Sequence, residues 1–297
     1  MHSYLRAIGF SKFKNKSEQN KIITAALKNA TDKREIEVGS NTKLVQINYH
    51  VANNIGISII GEYDKDENFI IDHSFPFCLG SHTTIQPDIQ IEEYADREAY
   101  SCVSEDYNLG VTLIYFLENI VDYVRIIWLN DFYKTPKRVK FGSLSLRGRI
   151  LYGVHLDHNS FPYDKQPISN KARRNLIAKA RSGDLDALEN LTLDDMDTYS
   201  LVSKRIKTED LLTVIETYMI PYGIDNEHYS ILGIIKNFKQ ITNEFSEELV
   251  YNLTVVCNDI SIDIVINSLD LQGEPKIGRR FKGIIWLQGQ IDFTQSQ

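Results

Sequence analysis

Two stretches of this chain hold basic side chains at spacings suited to capturing an anion. In the first, Lys134 to Arg149, six basic residues occur with no acidic one, and Arg138/Lys140 and Arg147/Arg149 form two alternating pairs. The second is Gly278-Arg279-Arg280-Phe281-Lys282-Gly283, where Arg279, Arg280 and Lys282 lie between glycines. Guanidinium and ammonium groups are donors only, so several of them converging would clamp a phosphate or carboxylate. Each stretch also has a plainer reading. Lysine and arginine protect edge strands from unwanted pairing. Arg279 or Arg280 could instead face an internal carboxylate, with Glu274, Asp263 and Asp292 as partners.

Other groupings are weaker. His155, Asp157 and His158 are metal-capable and lie within four residues, but no H-E-x-x-H or second cluster completes a site. In an extended segment, 155 and 157 share a face and 158 points away. Glu118, Asp122 and Arg125 are spaced i, i+4 and i+7, so on a helix they share a face. Two carboxylates one turn apart could act as acid and base; the alternative is Arg125 pairing with Asp122 on an exposed seam. Asp64, Asp66 and Glu67 lack the glycine and distal glutamate of a calcium loop and read as a hairpin tip. Asp194, Asp195 and Asp197 suit the first turn of a helix. No P-loop, dinucleotide fingerprint or G-x-S-x-G elbow occurs, and no cofactor is expected.

The 297 residues, 42% hydrophobic and 25% charged, can bury a full core. A net charge of −7 speaks against a dedicated nucleic-acid binder. Cys78, Cys102 and Cys257 are far apart, form no C-x-x-C and sit among apolar neighbours, as inert buried thiols do. The most apolar window, Val111 to Leu129, is interrupted by Glu118, Asp122 and Arg125, too many charges for a membrane span. With no signal-like start, the expectation is a cytoplasmic protein without an anchor.

The elements that must position these residues follow from periodicity. Residues 4–10 read as a strand and 17–28 as a helix that ends at Asp32 to Glu35. Residues 43–77 read as β structure, and 89–94 and 99–104 as two further β runs. Residues 108–129 read as the longest helix. The alternation after Pro136 predicts a hairpin turning near Gly148. Helices are expected over 169–181, 184–191, 192–204 and 208–216, then β structure from Tyr218, with 238–247 left as helix or extended chain. Helices grouped between β flanks indicate α+β architecture.

The opening His2-Ser-Tyr-Leu-Arg-Ala-Ile-Gly-Phe10, the segments Pro221-Tyr-Gly223 and Tyr229-Ser-Ile-Leu-Gly233, and the closing Gly273 to Gly289 resemble a bacterial family of domain-of-unknown-function type, of about this chain's length. The resemblance covers the whole chain. It implies a cytoplasmic bacterial protein and carries over no catalytic residue. Ser268-Leu-Asp-Leu-Gln-Gly273 is faintly similar to half of the ligand motif of PilZ barrels. The arginine half should lie upstream, yet Asn252 to Asn267 contains no arginine, so nothing is carried over.

The sequence thus predicts an α+β protein: a β-rich unit with two helices over 1–133, then a sheet or barrel-like unit over 134–297 with a helical insert at about 168–216. The 137–154 segment should join the C-terminal strands, giving the two basic stretches a common surface. The leading functional expectation is a non-enzymatic binding or protein-interaction protein, with an unidentified protein or small anionic ligand as partner. The alternative is an enzyme or sensor of an anionic small molecule, using Arg279, Arg280, Lys282, Arg138, Lys140, Arg147 and Arg149 as a clamp.

Overall fold

In the C-terminal half, β-branched and aromatic residues alternate with polar ones, and this pattern builds long strands. β11 (His228–Thr242), β12 (Leu249–Cys257) and β13 (Ile260–Asn267) follow one another antiparallel. β13 runs parallel to β9 (Lys137–Leu151), which pairs with β15 (Arg280–Asp292). β15 in turn pairs with β11. The circuit β11–β12–β13–β9–β15 therefore closes on itself as a small barrel, which leaves those strands without bare edges. The computed structural model describes residues 3–38, 42–64, 67–86, 88–106, 111–129, 137–153, 183–193, 211–223 and 227–293, with scattered positions between 172 and 196.

Register places Leu253, Ile264, Phe281, Ile285 and Tyr229 on the inward face, and each is fully buried. A small barrel fills its interior by alternating large and small residues. Here Phe281 is the large one. A Cβ on Gly148 would lie 2.3 Å from its ring, and one on Gly283 would lie 2.6 Å away. Gly148 and Gly283, one from each basic stretch, are thus the space that Phe281 occupies. Truncating Phe281 to alanine would cost about 3–5 kcal/mol.

The barrel wall extends outward. β8 (Val111–Leu117) joins the far end of β15 in parallel at Gln288 and Gly289, followed by β7 (Tyr100–Asp106) and β6 (Ile89–Glu93). β5 (Thr83–Gln86) and β14 (Leu271–Gln272) pair with β9, and β10 (Tyr218–Pro221) with β11. This sheet takes β5 to β8 from before residue 133 and β9 to β15 from after it. A second, four-stranded sheet has β1 (Asp32–Val38), β2 (Thr42–Ala52), β3 (Ile55–Tyr63) and β4 (Phe69–Cys78) in sequence order. A run of rings joins the two sheets. Phe75 meets Phe116 at 4.7 Å, Phe116 meets Trp286 at 5.2 Å, and Trp286 meets Tyr4 at 5.5 Å. The architecture is α+β and β-rich. Among the described residues, no helix is long and apolar enough to cross a membrane.

Several local expectations are corrected. Residues Ser3–Ile8 form a 3-10 helix, not a strand, because Tyr4, Leu5, Ala7 and Ile8 are all buried and no alternation exists. Helix α1 (Lys16–Lys28) is capped by Asn15 through a reciprocal bond with Glu18, rather than by Ser17. The charged run after it is strand β1, with Lys33, Glu35 and Glu37 exposed at period two. The long helix expected over 108–129 is β8 followed by the short helix α2 (Ile120–Trp128). An unbroken apolar run suits a fully buried strand as well as a buried helix, so periodicity cannot separate them. The hairpin expected near Gly148 is one continuous strand, β9. Of the two readings of 238–247, residues 238–242 take the extended one, as the end of β11. Of the helical insert, residues 185–193 run as one helix without a break at 191, and Leu211–Val214 form a short helix.

Candidate functional site

The expected pairing of the two basic stretches exists. Arg149 lies opposite Lys282 and Arg147 opposite Ile284, while Lys140 lies opposite Gln290 and Arg138 opposite Asp292. The register shifts between Ile284 and Ile285, where β9 carries one extra residue, Leu146. Without that bulge, Arg147 and Arg149 would point into the barrel, because a one-residue slip reverses every side chain beyond it. With it, Arg138, Lys140, Arg147 and Arg149 share the outward face.

They do not share a surface patch. Lys140 and Arg147 are about 23 Å apart along the strand, and the stretch between them is covered. Leu144 and Trp286 are buried there, with Tyr4 on the indole. A Cβ on Gly142 would sit 1.6 Å from the Cys78 carbonyl oxygen, so the end of β4 crosses β9 at van der Waals contact.

The arginine pair divides. The Arg279 guanidinium donates to the Glu274 carbonyl at 2.7 Å, lies 4.0 Å from its carboxylate, and stacks 5.2 Å from the Tyr152 ring. This is one of the internal partners the sequence offered. Arg280 is 4% exposed and, among the described residues, meets no carboxylate at hydrogen-bond distance. It donates to the carbonyls of Tyr152 (2.9 Å), Ile215 (2.8 Å) and Leu212 (2.8 Å). Burial lowers its pKa, but a guanidinium stays charged. Its fork ties the barrel to the end of β9 and to the short helix Leu211–Val214. Arg149 donates to Gln272 at 3.2 Å. His155, Asp157 and His158 lie outside the described residues, and among the described residues no three metal-capable side chains cluster.

Arg138 and Lys140, at the other end of β9, line a cleft of about 580 Å³. Its opposite wall is α2, which contributes Asp122 and Arg125, and its floor is the end of β15 from Gln290. The Asn119 amide fixes these walls together. It accepts from the Ile291 N–H at 3.1 Å and donates to the Ile291 carbonyl at 2.9 Å, reading β15 as another strand would. Asp122 is occupied by the Arg34 guanidinium and by Arg125 at 3.7 Å, so the expected Arg125–Asp122 pair exists. Arg125 also donates to the Glu35 carbonyl at 3.2 Å. Among the described residues, neither the Arg138 nor the Lys140 side chain has an ion-pair or hydrogen-bond partner.

Glu118 was expected on the same exposed seam. It is instead 3% exposed, because it ends β8 and turns under the small sheet. It lines an inner cavity of about 110 Å³ that shares Asn119 and Gln290 with the cleft. Both of its carboxyl oxygens lack a hydrogen-bond partner. Desolvation pushes its pKa well above the usual carboxylate value, which favours the neutral acid. Around it stand Asp32, Arg34, Asn48 and His50 from β1 and β2, with Phe75 and Phe77 from β4. Gln46 donates to Ser58 at 3.0 Å and to the Glu118 carbonyl at 2.7 Å. The sequence signal for this cavity was a charge closing an apolar run, Val111 to Leu117, together with polar residues at every second position of 44–50. Each cysteine is buried, and desolvation raises its thiol pKa, to about 12 for Cys257.

Residues 5–289 match the family described as "Domain of unknown function, E. rectale Gene description (DUF3881)". No curated protein and no solved structure matches the chain.

Proposed function

The chain belongs to that DUF3881 family, and from the site itself we propose that it is a non-enzymatic binding protein whose cleft takes a small anionic molecule. The observation that supports this is the meeting of Arg138 and Lys140, both without internal partners, with Arg125 across the cleft. Lining charges are three basic against two acidic, Asp122 and Asp292, and two guanidinium groups already hold Asp122. Arg138 and Lys140 are left to a ligand, with Asp292 the remaining acidic group, and this cationic excess suits a phosphate or carboxylate. Of the seven basic residues singled out in the sequence, this reading uses Arg138 and Lys140. It adds Arg125 and leaves Arg280 with a structural task.

A thermal-shift series with inorganic phosphate, sugar phosphates and nucleotides tests the reading. At least one should raise the Tm of the native chain, and Arg138→Ala with Lys140→Ala should abolish the shift. A shift that survives the double substitution, or none with any anion, overturns it.

A further inference from the structure

The inner cavity presents acceptors and few donors. Both Glu118 oxygens and Asn48 Oδ1 are buried without a hydrogen-bond partner. Three of the neighbouring amides and Arg34 direct their donors elsewhere. Asn48 Nδ2 reaches Asp32 at 3.4 Å, Asn119 Nδ2 reaches the Ile291 carbonyl, and Gln46 Nε2 serves Ser58 and the Glu118 carbonyl. Arg34 directs Nε to Asp32 at 3.0 Å and Nη1 to Asp122. Orphaned buried acceptors are costly, about 1–3 kcal/mol each, and call for a donor. An ammonium carries three N–H groups and no lone pair, so it satisfies acceptors without asking for a donor in return. Two phenyl rings, Phe75 and Phe77, line the same space, and aromatic walls attract cations. A volume of about 110 Å³ has room for an ammonium on a short alkyl stem.

We propose that the inner cavity receives a primary ammonium belonging to the same molecule whose anionic group lies against Arg138 and Lys140, so that the ligand is a small amino-anion. This rests on the cleft reading above and gives the ligand its second end. Asn119 and Gln290 border both spaces, so the two sites share a wall, and in this proposal the ligand's chain of a few carbons crosses it beside these side chains. When the ammonium arrives, Glu118 gives up its proton to solvent and pairs as the carboxylate, and binding releases a proton. The charged and titratable neighbours are Asp32, Arg34 and His50 from the small sheet, Asp122 from α2 and the Cys78 thiol. Burial keeps His50 low in pKa, so it does not take up the released proton.

The probes are ω-aminoalkanesulfonates of two to five carbons and the matched alkanesulfonates, which have no titrating acid of their own. Calorimetry at pH 6 in two buffers of different ionisation enthalpy gives affinity and proton release together. At one chain length the amine should improve affinity at least about tenfold and release protons, up to one per ligand. The matched alkanesulfonate should release none. In Glu118→Gln the gain should vanish while alkanesulfonate binding stays as in the native protein. If the amine gives no gain at any length, or the gain persists without Glu118, the inference falls and an Arg138-dependent alkanesulfonate signal still upholds the cleft. If neither series binds, both readings fall. Proton release is read on the unmodified protein, so the result holds even if the variant folds poorly.

Discussion

Replacing Glu118 with glutamine isolates the cost of burying an acid that should ionise. The unfolded carboxyl titrates at the ordinary glutamate pKa of about 4.3, and the folded one well above it. Between those two pH values the native state holds a proton that the unfolded state has lost. Stability then falls as pH rises, by about 1.4 kcal/mol per pH unit. Below the unfolded pKa both states are protonated and the penalty is absent. Above the folded pKa both are ionised and the penalty stays at its full size. Glutamine has the same shape and no such titration. Urea unfolding of both proteins at half-unit steps from pH 5 to 8 gives the difference in ΔG at each pH. That difference should move in favour of Glu118→Gln by about 1.4 kcal/mol per unit until it levels off, and the levelling point reports the folded pKa. Any fixed cost of the new amide shifts the whole curve without tilting it. His50 and Asp32 are common to both proteins and largely cancel. A difference that stays flat from pH 5 to 8 refutes a neutral Glu118. The effect is large against a typical domain stability of about 5–15 kcal/mol.

Three further outcomes are expected. Arg280→Lys keeps the charge but cannot reach three carbonyls in one plane, and chemical denaturation should show a loss of about 2–4 kcal/mol. Gly142→Ala places a Cβ on the Cys78 carbonyl and should cost more than about 3 kcal/mol in the same assay, with near-normal behaviour taken as evidence against the β4–β9 crossing. A thiol reagent at pH 8 should label none of Cys78, Cys102 and Cys257 in the native state and all three in denaturant.

Where side-chain period two is clean, as over 43–63 and 249–267, the strands were legible in the sequence, and so was the joining of 137–151 to the C-terminal strands. The family was legible too, from the opening and closing segments. What failed was local information of the wrong kind. Val111 to Leu129 is apolar almost all round apart from a narrow polar stripe, and Asn119 clamping Ile291 marks where strand gives way to helix. Arg280 offered no clue to its partners, because backbone carbonyls have no sequence identity. Glu118 looked exposed because its cover comes from residues 32–77, which only the tertiary fold brings over it. The alternating basic pairs were visible, but not the covering of the strand between them, which depends on Tyr4 and β4.

β15 also sets a schedule for synthesis. It is the strand to which β8, β9 and β11 all pair. All three are synthesised before residues 280–292, and until β15 joins them each carries an unmatched row of backbone donors and acceptors. Translating from Thr242 to Asp292 takes about 3–10 s at about 5–20 residues per second. Through that interval the barrel stands open on the nascent chain, as an edge that a chaperone or a second nascent chain can occupy before β15 arrives.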